Sequence, residues 1–228
     1  VSVSVTADAD TYLVDGTTAH GSDEELKINQ ATDYYSSTSP GLKDIKGLGL
    51  IRFDLSKYAG KKLTSATLKL YDKFTNTDKR NSVLHLDYCS KNDWDEATVT
   101  INDIKTRGED TPLSSLGLQV SPAYNVDYKE ISFDVTDVIK EKCTDNLITF
   151  TLWTGTGREQ VIASKEYSGT DAQGPTLVLE FEGEEPTPTP TVVPTATPTL
   201  KPTATPTVVT TATPTLKPTA TPTVVPTA

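Results

Sequence analysis

The sequence predicts an all-β fold: an antiparallel sandwich with one short helix, ending in a tail that cannot fold. Three observations carry this. Residues 48–55 and 63–71 alternate, with Ile51, Phe53 and Leu55 on one parity and Leu48, Leu50, Arg52 and Asp54 on the other, then Ala66, Leu68 and Leu70 against Thr67, Lys69 and Tyr71. A strand sends successive side chains to opposite faces, so this is half-buried strand. Many further short apolar runs follow, separated by turn clusters, which favours a sandwich over α/β architecture. Finally, all 13 glycines, both tryptophans, all 9 tyrosines and all 5 phenylalanines lie at or before Gly183. One domain over residues 1–183 and a linker over 184–228 are therefore expected.

Taken in order, residues 1–5 alternate Val and Ser as an opening strand, and residues 11–14 extend a second. Asp15-Gly16-Thr17-Thr18 has turn chemistry. A short strand at residues 26–28 precedes a polar loop at 33–42 that carries Tyr34 and Tyr35 side by side. Between the two central strands, Ser56 is placed to cap one helical turn and Gly60 to end it. Residues 83–88 resume the alternation, with His85 on the outward parity, and residues 98–102 read as another strand. Residues 103–127 show the least pattern, as a long functional loop would. Thr136 reads as the N-cap of a helix of about two turns. Strands at 147–153, 161–163 and 177–181 complete the set.

From Glu185 the chain becomes a Pro-Thr repeat. Residues 192–207 recur from Val208 with one change, Thr210 for Pro194, and a third copy begins at Val224. Proline fixes φ and removes donors, so an extended spacer is expected, suited to O-glycosylation and to a further module beyond it.

The formal charge of −10 falls wholly on the domain, because Glu184 and Glu185 cancel Lys201 and Lys217 in the tail. That sign disfavours nucleic acid and anionic membranes as partners. No apolar run reaches the length of a membrane span. The chain opens directly on strand pattern, as expected of a processed secreted protein or of a fragment cut for expression. Cys89 and Cys143 allow one disulfide without establishing it. Catalysis has little support: His20 and His85 are the only histidines, and no nucleophile elbow, zinc motif or phosphate loop is present. The carboxylates are numerous enough for a glycosidase pair, yet abundant Asp and Glu are ordinary solvating residues. Asp54 and Asp134, each two residues before Ser56 or Thr136, fit turn capping better than calcium ligation.

The stretch LIRFDLSKYAGKKLTSATLKLY, residues 50–71, resembles the centre of the DNRLRE-type domain, which overlaps carbohydrate-binding module family 96. Ala9-Asp10-Thr11-Tyr12-Leu13, Asp93-Trp94-Asp95-Glu96-Ala97-Thr98-Val99-Thr100, Phe133-Asp134-Val135-Thr136 and Ala163-Ser164-Lys165-Glu166 match further pieces in order. Ile101 stands where that family usually has Trp, and Lys165 where it has Arg. The resemblance implies a jelly-roll β-sandwich, secreted or extracellular and in some cases attached to the cell surface. It implies a monomer that binds polysaccharide without catalysis and is covalently linked to a catalytic or anchoring module. A structural or adhesion spacer with no sugar affinity is the alternative. By analogy with jelly-roll modules, a structural calcium is expected at Asp8 and Asp10, which share one parity.

Sugar binding needs aromatic faces for pyranose rings and polar groups for hydroxyls. The candidates are Tyr34, Tyr35, Trp153 and Tyr167, with Tyr124 and Tyr128 also outside obvious core positions. Arg158 and Lys165, with Arg52, Lys43 and Lys46, are the cations that a uronate polymer would need. Trp94 reads as packing. The net negative charge tips the expectation toward a neutral polysaccharide.

Overall fold

The computed structural model describes residues 1–14, 19–29, 46–74, 83–104, 113–121, 126–154 and 159–183. All lie within one compact unit, Val1–Glu185. Among the described residues, eleven strands form two antiparallel sheets. The six-stranded sheet holds β1 (Ser2–Thr6), β3 (Glu25–Ile28), β5 (Leu63–Phe74), β8 (Val126–Asp134), β10 (Gln160–Ala163) and β11 (Thr176–Phe181). The five-stranded sheet runs β2 (Ala9–Leu13), β4 (Leu48–Asp54), β9 (Leu147–Thr154), β6 (Leu84–Cys89) and β7 (Leu113–Val120).

The pairing is nested. β6 pairs β7, β5 pairs β8, β4 pairs β9 and β1 pairs β11, and these pairs fall alternately in one sheet and the other. A long antiparallel ribbon rolled up on itself gives this order, which is that of a jelly roll. Strands β2, β3 and β10 extend it.

The interlayer core holds the parity expected from sequence. Ile51, Phe53, Ala66, Leu68, Leu70, Leu84, Leu86, Ile148, Phe150 and Leu152 are fully buried between the sheets. Phe53 meets Phe150 edge-on at 6.4 Å. The opposite parity of the five-stranded sheet is also partly buried. Ala9, Leu13, Leu48, Leu50 and Cys89 form a second cluster with Trp94, Val99, Ile101 and Ile104, so residues 94–104 cover part of that outer face.

Local structure departs from the sequence reading in three places. The strand expected at residues 98–102 is a turn running into a short helix, α1 (Ile101–Ile104), because Ile101 and Ile104 both face the second core. The stretch read as patternless contains β7, whose half-buried Leu116, Leu118 and Val120 do alternate. Its signal is blurred by Gly117, held at φ 67° where the register against β6 shifts; glycine tolerates that left-handed bulge. The helix near 136 exists as α2 (Thr136–Lys142), but Thr136 is its first residue rather than its cap. Asp134 Oδ1 accepts the Thr136 N–H at 3.0 Å, and Asp54 Oδ1 accepts the Ser56 N–H at 2.8 Å ahead of the 3₁₀ turn Ser56–Tyr58. Both carboxylates thus cap turns, and hydrogen bonds from the Ser56 and Thr136 hydroxyls, then from these N–H groups, hold them below the usual range. Gly60 follows at φ 76°.

Candidate functional site

Strand β9 carries Trp153 on the outer face of the five-stranded sheet, directly opposite His85 on β6. Their rings stack at 4.0 Å with an interplanar angle of 11°. The indole N–H donates to Asp87 Oδ2 at 2.7 Å, and Asp87 Oδ1 accepts the Leu116 N–H at 3.0 Å. Asp87 is buried, so the indole is anchored from beneath by a group itself tied to β7. Burial holds the His85 imidazole below its ordinary pKa, which favours the neutral ring. Gln119 lies across from His85 on β7 and is exposed. A rigid, half-buried aromatic pair flanked by hydrogen-bonding groups suits a sugar ring, whose C–H edge packs on a π face.

A second aromatic cluster lies by β8. Tyr167 meets Tyr128 edge-on at 4.9 Å, Tyr128 donates to Glu25 at 2.8 Å, and Tyr167 donates to Asp171 at 2.5 Å. The Asp171 hydrogen bond, with burial, pushes the Tyr167 phenol up to about 12. Both hydroxyls are thus engaged by carboxylates.

A third surface was not anticipated as a site. An open groove of about 830 Å³ runs beside the 3₁₀ turn, lined by Tyr58, Lys61, Lys62, Lys140, Asn146 and Phe181 among others. Tyr58 stacks on Phe181 at 5.5 Å, and the ammonium groups of Lys57 and Lys61 lie 5.9 and 6.0 Å from the two ring centres. These residues join the groove from well-separated stretches, so no single motif signals it; the spacing Lys57-Tyr58 with Lys61-Lys62 was the available hint.

Of the predicted cations, Lys46 is exposed, whereas Lys165 and Arg52 are engaged by carboxylates. Lys165 Nζ is 3.0 Å from Glu96 Oε1 and also donates to Glu166; these bonds outweigh the opposing effect of burial and raise its pKa. Arg52 donates to Asp8 Oδ2 at 2.9 and 2.7 Å and to the carbonyls of Asn92 and Trp94, while lying 5.0 Å over the Trp94 ring. Trp94 is packing, as expected: it is buried and donates to Thr149 Oγ1 at 3.1 Å. Tyr34, Tyr35, Lys43, Tyr124 and Arg158 lie outside the described residues.

Asp8 and Asp10 do not converge. Asp8 turns to Arg52, whereas Asp10 is fully buried and accepts the Lys165 N–H at 2.7 Å. Burial, aided by Glu166 and Glu96 and opposed by that hydrogen bond and the Lys165 charge, pushes Asp10 up to about 7. Among the described residues, no three Asp, Glu, His or Cys side chains are arranged to hold a metal. Cys89 and Cys143 are both free thiols, and burial raises the Cys89 thiol to about 11.

A jelly roll with an anchored aromatic pair on an outer face is an arrangement that sugar-binding domains use. The family model for carbohydrate-binding module family 96 matches residues 1–181, and the chain belongs to that family. No curated protein matches it. Among solved structures, it is similar to the Clostridium thermocellum N-terminal endo-1,4-β-D-xylanase 10B CBM22-1-GH10 modules complexed with xylohexaose. The identity is 10%, covering 78% of this chain and 29% of that one, with a TM-score of 0.33. At that distance the fold rests on the strand order given above.

Proposed function

We propose that this module holds a secreted multimodular protein on a polysaccharide, with residues 184–228 as the spacer to a catalytic or anchoring module. Tethering raises the effective concentration of the linked module at the polymer. The observation that carries the reading is the Trp153–His85 stack, fixed from below by Asp87 on the outer face of the five-stranded sheet. Lys165 and Arg52 are engaged by carboxylates, which supports a neutral polymer at this platform.

The lysine-lined groove supports a second reading, an acidic polysaccharide bound by Lys61 and Lys140 over the Tyr58 and Phe181 rings. Salt separates the two, because exposed charge interactions are screened and ring stacking is not. Binding of the full chain to a panel of neutral and uronate polymers is expected to select a neutral one. Its affinity should hold as salt is raised, and Trp153→Ala should cost about 1–3 kcal/mol. Salt-sensitive binding that Lys61→Ala and Lys140→Ala abolish, with Trp153→Ala without effect, moves the site to the groove. Binding to no polymer in the panel leaves the spacer role.

A further inference from the structure

Strand β9 runs between β4 and β6, so Trp153 has a neighbour on each side. On the β6 side it stacks on His85, 4.0 Å away and within 11° of parallel, so each ring covers one face of the other. On the β4 side stand Leu48 and Leu50 of the second core, and Trp153 packs against that cluster. Its indole N–H is given to Asp87. His85 is placed differently. Beyond it lies only β7, the last strand of the sheet. The far face of the imidazole looks across that edge toward Gln119, its partner in register. Gln119 is exposed, and its amide meets no hydrogen-bond partner among the described residues.

A pyranose packs its C–H face on a π face and needs donors and acceptors beside that face for its hydroxyls. A primary amide carries both side by side, a carbonyl oxygen and an NH2 group, which suits a pair of adjacent hydroxyls. Resting on the reading of the Trp153–His85 stack as a sugar site, we propose that the face receiving the sugar is that of His85. The Gln119 amide then takes adjacent hydroxyls of a neutral pyranose packed there. Trp153 acts through His85: it backs the imidazole and fixes its angle, and Asp87 in turn fixes Trp153. The binding surface lies over β6 and β7, one strand nearer the edge of the sheet than the tryptophan.

Titration of the full chain with cellohexaose, xylohexaose, mannohexaose and galactohexaose, followed by calorimetry and by NMR of the histidine rings, tests this. His85 and His20 are the only histidines. His20 stacks on Tyr12 of β2, at the opposite edge of the sheet, and serves as the internal control. The His85 ring signals should move as the sugar that binds is added, and those of His20 should stay. His85→Ala and Gln119→Ala should each weaken binding about fivefold, whereas His85→Phe, which keeps a ring face, should stay within about twofold of the parent. Trp153→Phe, which restores a backing ring, should keep more of the affinity than Trp153→Ala. His85→Ala also bares the Trp153 face. Unchanged or tighter binding in that variant therefore puts the sugar on Trp153, and overturns the inference while the site remains a sugar site. An unmoved His85 signal at saturation does the same. Binding to none of these sugars overturns the neutral-sugar reading and this inference together.

Discussion

The two sheets bury their inner faces alike and differ on their outer ones. The outer face of the six-stranded sheet carries Thr67, Lys69, Tyr71 and Lys73, with Lys69 3.0 Å from Glu130 and Ser65 2.8 Å from Glu180. It is a solvated surface of cross-strand polar pairs, each worth little. The outer face of the five-stranded sheet is partly covered by residues 94–104, and its aromatic residue Trp153 is anchored by a hydrogen bond to Asp87. A sheet buried on one side can lose its outer side chains cheaply. One buried on both sides has a second core to lose, and offers a rigid rim on which a ligand platform can be mounted.

The strongest way to break this contrast is Trp94→Ala, which empties the second core and strands Thr149 without its donor. A loss of about 3–5 kcal/mol in denaturant unfolding is expected. A loss under about 1 kcal/mol would mean that residues 94–104 are a dispensable flap.

Next comes Asp72, which the six-stranded sheet turns inward, 1% exposed and without a partner among the described residues. Burial raises it from 3.8 to about 7. Its folded pKa lies above the unfolded one, so its stabilising contribution is complete below about pH 4 and is lost as pH rises toward 7. Asp72→Asn mimics the neutral acid. It should match the parent near pH 4 and exceed it by on the order of 2–4 kcal/mol at pH 8. A parent more stable than the variant at pH 8 would show that the carboxylate is held as an ion. The smallest effect belongs to the solvated face: Lys69→Ala should change stability by less than about 0.5 kcal/mol in the same assay.

The strand pattern was legible because the inner parity of β4, β5, β6 and β9 is apolar apart from Asp72 and Thr154 at the strand ends, which a shared core explains. The outer parity of β4 was harder. Leu48 and Leu50 break the polar alternation, and the covering segment that explains them lies some 45 residues away at Trp94 and Val99. Trp153 was legible as a binding candidate because it stands on the solvent parity of its strand, yet nothing local pairs it with His85. Lys165 looked available because sequence does not show that Glu96, far along the chain, folds back to meet it. The lysine-lined groove was only hinted at by the Lys57-Tyr58 and Lys61-Lys62 spacing, for the same reason. Its rings come from the 3₁₀ turn and from β11, which only the register of the closed sheets brings together.

The nested pairing also sets an order of events for the chain as it folds. The outermost contact joins Val1 to Phe181, where the Val1 nitrogen donates to the carbonyl at 2.9 Å across a separation of 180 residues. Closing that span from an open coil is entropically unfavourable, whereas β6 and β7 lie close in sequence. Once β6 and β7 have met, β5 and β8 have only a short gap to close, and so on outward. The molecule is therefore expected to zip from its middle toward its ends and to open in reverse. Amides of β1 should exchange with solvent well before those of β9, which sits between two partners in the middle of its sheet.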